Sequence, residues 1–177
     1  IYSNMPFHNV QFNEGLNFVI GKITERSDDE KDTHNLGKSL LLKVIDFLLL
    51  KDVANKKRHF LTKQPIFQEY VFFAEIKLNS GKYLLIKRAV KNNTKISFKL
   101  NHTPLESFNT DIYKWDDVDL PIARAKQKLN QYLDFDVLPK WLYRKTLNYF
   151  MRHQEDYVDV FKLSKFQGVH KDWKPMV

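Results

Sequence analysis

The chain has 177 residues with 43% hydrophobic and 14% aromatic side chains, enough for one domain with a buried core and unlike a disordered segment. It contains no cysteine, which excludes disulfides and zinc–thiolate sites and favours a reducing, cytoplasmic location. No apolar run approaches the roughly 20 residues that span a bilayer, so no membrane association is expected. The net charge of +8 favours anionic partners, although lysines that alternate with apolar residues also serve simply to keep a surface soluble.

The N-terminal part of the chain predicts two adjacent strands. Residues 7–12 and 16–20 place apolar side chains at strand spacing, and residues 13–15 between them have the composition of a tight turn. Gly21 ends the second strand. Residues 22–33 are rich in charged side chains, and we predict that they form an exposed, mobile acidic loop.

A Gly-Lys-Ser sequence then precedes a helix. Gly37, Lys38 and Ser39 stand before residues 40–50, whose apolar side chains surround the helix and indicate burial against a sheet. A strand, a glycine-containing loop, Lys-Ser and a helix are the layout of a phosphate-binding loop. In such a loop Gly37 would allow close approach, and Leu40 would contribute a backbone N–H group. Lys38 would neutralise the β- and γ-phosphates, and Ser39 would bind Mg²⁺.

The spacing of this loop is unusual. The regular motif has a glycine at position 32, where this chain has Asp32, and the nearest upstream glycine is Gly21. Fifteen residues, 22–36, separate Gly21 from Gly37, whereas the motif has four, so eleven are extra. We predict that Gly21 is the displaced first glycine. The acidic insertion at residues 22–33 would disfavour nucleotide until it moves or pairs with a basic side chain.

The middle of the chain predicts an antiparallel hairpin and a third strand. A Ser-Gly pair between residues 69–79 and 82–90 has the composition of a hairpin turn. Residues 95–100 alternate strictly between apolar and polar side chains, which indicates another antiparallel strand. Residues 102–119 are expected to form a loop.

Two helices are predicted in the last third of the chain. Pro121 suits the first turn of one helix, with Asp119 as its cap, and this helix runs to about Tyr132. Pro139 opens the second helix in the same way, and it runs to about His153.

The chain resembles the N-terminal head segment of SMC-like ATPases, the ABC-type enzymes that include the RecF and RecN repair proteins. Three stretches carry this resemblance: residues 15–21, 35–41 and 45–49. The family pattern is a strand, a Gly-x-Asn-Gly-x-Gly-Lys-Ser loop and a helix of the type Leu-Leu-x-Ala-Ile-x-Phe-x-Leu. Asn35 matches the asparagine of that loop, whereas Leu36 replaces the glycine after it. More closely, the chain resembles a bacterial SMC-like group that has an insertion in this loop and an Arg-Lys-x-Leu-x-Tyr-Phe-x-Arg segment, as at residues 144–152.

This resemblance implies an α/β fold, in which residues 1–177 form the single N-terminal lobe of a P-loop NTPase head, with a mixed sheet, an antiparallel portion and flanking helices. It implies ATP and Mg²⁺ as cofactors, with Lys38 and Gln154 as catalytic residues and Ser39 and Gln154 as metal-binding residues. In the family, a glutamine well downstream of the lysine coordinates Mg²⁺ and the attacking water. Gln154 is the candidate for that role, and Gln167 is the second choice. The expected nucleotide-binding residues are Gly21, Asn35, Leu36, Gly37, Lys38, Ser39 and Leu40.

Heads of this family also need a signature Ser-Gly-Gly loop, a strand that ends in Asp-Glu, and a later histidine. These lie in a C-terminal half, after a long coiled coil, and none is present in this sequence. We therefore expect an excised fragment whose partners are the C-terminal half of its own chain and, on ATP binding, a second head in a homodimer. DNA is a further candidate partner, the expected role is DNA repair, maintenance or defence, and the fragment alone should not hydrolyse ATP.

Two other interpretations stay open. The chain could be a nonenzymatic basic module that binds nucleic acid or protein, in which Gly-Lys-Ser is coincidental. It could also be another P-loop enzyme such as a nucleotide kinase, but the antiparallel strands predicted after the first helix argue against that, since kinases continue with parallel βαβ units. No histidine pair has helical metal-site spacing, and no Gly-x-Ser-x-Gly elbow is present.

Overall fold

A computed structural model describes residues 1–20, 37–53, 60–109, 114–135 and 142–151 of the chain. The strands in these ranges are β1 (Tyr2–Ser3), β2 (Val71–Lys77), β3 (Tyr83–Ala89), β4 (Lys95–Asn101) and β5 (Asp117–Pro121). The helices are α1 (Lys38–Leu48), α2 (Phe60–Lys63), α3 (Ile122–Tyr132) and α4 (Tyr143–Phe150), with a short 3-10 helix at Pro65–Phe67. Among these ranges, no helix combines the length and the apolar character that crossing a membrane requires.

The strands form one sheet in the order β1-β2-β3-β4-β5, and each strand is antiparallel to its neighbours. The predicted combination of helices and a sheet is confirmed. The predicted mixed sheet is wrong for the described residues, because every pairing among them is antiparallel. Short turns join β2 to β3 and β3 to β4, and a short turn can connect only antiparallel strands.

The predicted hairpin forms between β2 and β3. The N–H of Leu78 donates to the carbonyl of Lys82 at 2.8 Å, and the N–H of Gly81 donates to the carbonyl of Leu78 at 2.9 Å. Gly81 has a φ of +78°, which residues with a side chain rarely adopt. The third predicted strand is also confirmed, as β4.

The helices pack on one face of the sheet. Val44 and Phe47 of α1 are buried against β2, and Ala125 and Leu129 of α3 are buried further along the same face. Alternate strand residues supply the other side of this core, because successive side chains of a strand point to opposite faces. They are Phe72, Ala74, Leu84, Ile86, Ile96 and Phe98, all buried.

A smaller aromatic layer covers the opposite face. Phe73 of β2 is buried, and its ring centroid lies 4.7 Å from that of Phe108 and 6.3 Å from that of Trp115. Tyr2 stacks on Phe108 at 4.7 Å, with the two rings almost parallel. These contacts hold Phe108 and Trp115, which lie between β4 and β5, against the sheet. The sequence predicted a loop for residues 102–119, but β5 already begins at Asp117.

The two predicted N-terminal strands are wrong. Residues 7–12 and 16–20 are not in strands, and Leu16, Phe18 and Ile20 are 81%, 77% and 84% exposed. A strand needs a neighbour to satisfy its backbone groups, and no strand in the described ranges pairs with this segment. The apolar spacing of the segment could not indicate whether such a neighbour exists.

The predicted turn is present only as a bend at residues 14 and 15, and it does not join two strands. The side-chain oxygen of Asn17 accepts from the N–H of Asn13 at 2.8 Å, and its amide nitrogen donates to the carbonyl of Asn13 at 2.8 Å. Such local hydrogen bonds offer the backbone an alternative to strand pairing. Glu14 in this bend forms an ion pair with Lys77 at 3.0 Å, at the end of β2.

The two later helices form, with changes at their N-termini. The end of α3 is as predicted, but Asp119 does not cap it: Asp119 lies in β5 with a φ of +51°, and no side chain caps the helix. Pro121 is the last residue of β5 and directly precedes α3. The helix α4 begins at Tyr143, because Leu142 still has an extended backbone; Pro139 lies outside the described residues.

Candidate functional site

The N-terminus of α1 is the part of the predicted phosphate-binding loop that the structure describes. Gly37 immediately precedes the helix with a φ of +79° and a ψ of 4°. A Cβ atom at this position would have nothing within 4 Å, so the backbone conformation, and not lack of space, is what favours glycine. The first helical hydrogen bond runs from the N–H of Leu41 to the carbonyl of Gly37 at 2.9 Å.

Three backbone N–H groups at this end of α1 have no hydrogen-bond partner among the residues that the structure describes. Those of Lys38, Ser39 and Leu40 precede the first intrahelical hydrogen bond, and no side chain caps the helix. Lys38 and Ser39 are exposed, whereas Leu40 is half-buried and packs on the core. The site therefore presents an ammonium group, a hydroxyl group and free N–H donors on adjacent residues.

The charges at this end of the helix favour an anion. The first turn of α1 contains no acidic residue and does contain Lys38. The helix dipole adds partial positive charge at the same place. Together these features provide what a phosphate group requires, namely N–H donors and an opposing charge in a short stretch of chain.

Four of the seven predicted nucleotide-binding residues are consecutive here: Gly37, Lys38, Ser39 and Leu40. The other three, Gly21, Asn35 and Leu36, lie outside the described residues. So do both glutamine candidates, Gln154 and Gln167, and the acidic insertion at residues 22–33.

The described residues fit Mg²⁺ in one respect. Ser39 has an exposed hydroxyl on the first turn, where it could ligate a metal ion held by a bound phosphate. Over the described ranges, no group of three or more His, Asp or Glu side chains could hold a metal ion. Among the described residues, a metal at this end of α1 would therefore have only Ser39 as a protein ligand; Gln154 and the acidic insertion lie outside them.

The C-terminal end of α1 carries a cluster of polar side chains that the sequence did not indicate. We call it the C-terminal cluster; it consists of Asp46, Lys51, Arg88, Tyr143 and Arg144. Nη1 of Arg144 lies 2.8 Å from Oδ1 of Asp46, and Lys51 pairs with the other carboxylate oxygen. Burial opposes ionisation of Asp46, but the two cations outweigh it, so the pKa of this carboxyl lies below its ordinary value.

Arg88, a member of this cluster, has no solvent exposure. Its Nη1 donates to the carbonyls of Phe47 and Lys51, the latter at 2.9 Å, and its Nε donates to the carbonyl of Asn93 at 2.8 Å. The guanidinium group also lies 4.1 Å from the centre of the Phe47 ring. Burial lowers the pKa of Arg88 to about 9, with partial compensation from Tyr143, so the side chain is still charged at neutral pH.

Comparison of the chain with protein families, with characterised proteins and with solved structures found no match in any of the three. A functional interpretation therefore rests on the residues and the geometry of the chain itself.

Proposed function

We propose that this chain is the ATP–Mg²⁺-binding N-terminal lobe of an SMC-like ATPase that serves DNA repair, maintenance or defence. One observation supports this most: a left-handed glycine, Gly37, leads directly into a buried helix whose uncapped first turn carries exposed Lys38 and Ser39. Gly-Lys-Ser by itself is a frequent sequence. Its position at the start of a helix packed on a sheet provides the helical half of the context of a phosphate-binding loop, whereas the strand predicted before the loop, residues 16–20, is not formed.

The proposed site acts through binding and orientation. The N–H groups of Lys38, Ser39 and Leu40 would bind phosphate oxygens, and the ammonium of Lys38 would neutralise the β- and γ-phosphates. The Ser39 hydroxyl would hold Mg²⁺, whose chemistry in such sites is neutralisation of charge on the β- and γ-oxygens. Gln154 would orient the attacking water in the assembled enzyme. Hydrolysis would require the C-terminal half of the chain and a second head, so the chain alone should bind ATP weakly and turn it over negligibly.

Calorimetric titration with Mg-ATP tests this proposal. Lys38→Ala should weaken binding by about 10- to 100-fold, because a hydrogen bond to a charged group contributes about 1.5–3 kcal/mol. Lys95→Ala is the matched control, since it removes the same charge from an exposed residue of β4 and should change the dissociation constant by less than about twofold.

Two results would contradict the proposal. Equal ATP affinity of the wild type and Lys38→Ala would mean that binding follows general positive charge and not this site. Multiple turnover by the isolated chain, abolished by Lys38→Ala, would show that hydrolysis does not need the further parts that the proposal invokes.

The alternative function is a nonenzymatic basic module for nucleic acid or protein, and the net charge of +8 favours it. In that case the chain would bind single- or double-stranded DNA with a strong dependence on salt, and Mg-ATP would give no heat of binding. Lys38→Ala and Lys95→Ala would then weaken DNA binding by similar factors, because each removes one of many distributed charges.

A further inference from the structure

The two ends of α1 are held very differently. Among the described residues, no side chain caps the N-terminus, whereas side chains from β3 and α4 satisfy carbonyls at and just beyond the C-terminus. The hydroxyl of Tyr143 donates to the carbonyl of Leu49 at 3.1 Å, and Nη1 of Arg144 donates to the same carbonyl at 3.2 Å. Nη1 of Arg88 donates to the carbonyl of Lys51 at 2.9 Å. Segments distant in sequence therefore fix the C-terminal end of the helix.

The contact between Asp46 and Arg144 joins a side chain of α1 to a side chain of α4. The two residues are 98 positions apart, their side chains are 5% and 15% exposed, and their polar atoms lie 2.8 Å apart. The start of α4 is also attached to α3, because the N–H of Tyr143 donates to the side-chain oxygen of Asn130, a buried residue, at 2.9 Å. The first residues of α4 thus connect α1 with the helix that precedes α4.

We infer that Arg144 is a positioning residue for the phosphate-binding end of α1 and acts through Asp46; this inference rests on the proposed function. A helix is a nearly rigid rod, and Asp46 lies eight residues, or about 12 Å, from Lys38 along it. A tilt of about 10° at Asp46 would therefore move the N–H groups near Lys38 by about 2 Å. Misplacement of about 1 Å is enough to lower the efficiency of a preorganised site by about 100-fold.

Lys51 provides a matched control within the same cluster. It pairs with the same carboxylate, but it follows α1 directly in the chain, so it does not join α1 to another helix. Removing either cation weakens the electrostatic environment of Asp46. Only the removal of Arg144 also breaks a side-chain contact between α1 and α4, and it leaves the hydrogen bond from Tyr143 to the carbonyl of Leu49 in place.

The experiment measures Mg-ATP affinity by calorimetry and the unfolding midpoint by circular dichroism in the same variants. Arg144→Gln should weaken ATP binding by about tenfold or more, whereas Lys51→Gln should change it by less than about twofold. Asp46→Asn should also weaken ATP binding, and the double variant should bind no more weakly than Arg144→Gln alone, since Arg144→Gln already removes the contact with Asp46 together with the hydrogen bond to the carbonyl of Leu49. Arg144→Lys keeps the charge but not the planar fork, and it should recover part of the lost affinity.

Each outcome decides the inference. Unchanged affinity in Arg144→Gln, even with a lower unfolding midpoint, would show that the pair only stabilises the fold and would overturn the inference. Equal losses in Arg144→Gln and Lys51→Gln would also overturn it. If Arg144→Gln does not fold, Arg144→Lys decides: a loss of about threefold or more at an unchanged midpoint supports the inference, and wild-type affinity overturns it. If the wild type itself binds no ATP, the proposed function fails and this inference fails with it. That result differs from ATP binding which is insensitive to Arg144.

Discussion

Replacing Arg88 by Met should destabilise the chain by about 2 kcal/mol, which tests whether a buried cation holds the end of α1. Arg88 is fully buried, and its guanidinium group binds three carbonyls, those of Phe47, Lys51 and Asn93. The carbonyl of Phe47 also accepts from the N–H of Leu50 at 3.0 Å, so it keeps a partner after the substitution. The carbonyls of Lys51 and Asn93 are the two at risk.

The expected magnitude follows from these contacts. Two unpaired, partly buried carbonyls cost up to about 1–3 kcal/mol each, and loss of the stacking of Arg88 on Phe47 adds about 1 kcal/mol. The opposing effect is that the wild type spends several kcal/mol on burying the guanidinium group, which Met does not need. Met also fills much of the same volume with a flexible apolar chain. The balance should be a net loss of about 2 kcal/mol, or a fall of roughly 4–8 °C in the unfolding midpoint.

Urea unfolding followed by far-ultraviolet circular dichroism measures this difference, provided that the dependence of the unfolding free energy on urea is the same in both proteins. Arg124→Met is the control, because Arg124 is exposed on α3 and its replacement should change stability by less than about 0.5 kcal/mol. An Arg88→Met variant as stable as the wild type, or more stable, would refute the reasoning. It would mean that the free-energy cost of burying the guanidinium group is as large as the stabilisation from all of its hydrogen bonds.

Two further predictions concern pH and a turn. Because Arg144 and Lys51 hold the pKa of Asp46 below its ordinary value of 3.8, the stabilisation by Asp46 is complete above that pH and is lost as the pH falls through the folded-state pKa. Urea midpoints at pH 7 and pH 3 should therefore differ more for the wild type than for Asp46→Asn, and parallel pH profiles would contradict this. Gly81→Ala should cost about 1 kcal/mol, since the φ of +78° strains a side chain although the space around it is open. Ser80→Ala in the same turn should be nearly neutral, and equal effects of the two substitutions on the urea midpoint would contradict the role given to φ.

The parts of the fold that could be predicted are those specified by local chemistry. The hairpin between β2 and β3 follows from Gly81, because few residues other than glycine adopt its backbone conformation. The strand β4 follows from its alternation of apolar and polar side chains, α1 from its run of apolar side chains, and α3 from the proline that precedes it. In each case the residues that form the sequence pattern lie within about ten positions of one another, so no distant contact is needed to recognise it.

The parts that could not be predicted depend on distant partners. Residues 16–20 have the apolar pattern of a strand, yet no strand in the described part of the chain pairs with them, and their side chains are exposed. At β5 the sequence predicted a loop where the structure has a strand. This strand contains Asp117, Asp119 and Pro121, all poor strand formers. It is a strand because β4 pairs with it, through Ile96 opposite Leu120 among other residues.

The candidate site also has a part that the sequence could predict and a part that it could not. Gly37, Lys38 and Ser39 could be found because the motif and the helix that carries it are contiguous. Arg88 reads as one more alternating basic residue of a strand, and only the fold places it under α1, 41 positions away from Phe47. Asp46 was the one available signal, because a carboxylate inside an otherwise apolar helix needs a partner when it is buried.

Burial explains why side chains of the protein satisfy the carbonyls at the C-terminal end of α1. The carbonyls at the C-terminal end point into the protein, where an unpaired group is costly, so side chains from Arg88, Tyr143 and Arg144 must satisfy them. The N–H groups of Lys38, Ser39 and Leu40 at the N-terminal end have no partner among the described residues, and the side chains of Lys38 and Ser39 are exposed. A helix whose C-terminal end is fixed by side chains can bind an anion at its N-terminal end without rearranging its own hydrogen bonds. Anion affinity at the N-terminal end should therefore depend on how firmly the C-terminal end is held. The comparison of Arg144→Gln with Lys51→Gln measures this dependence.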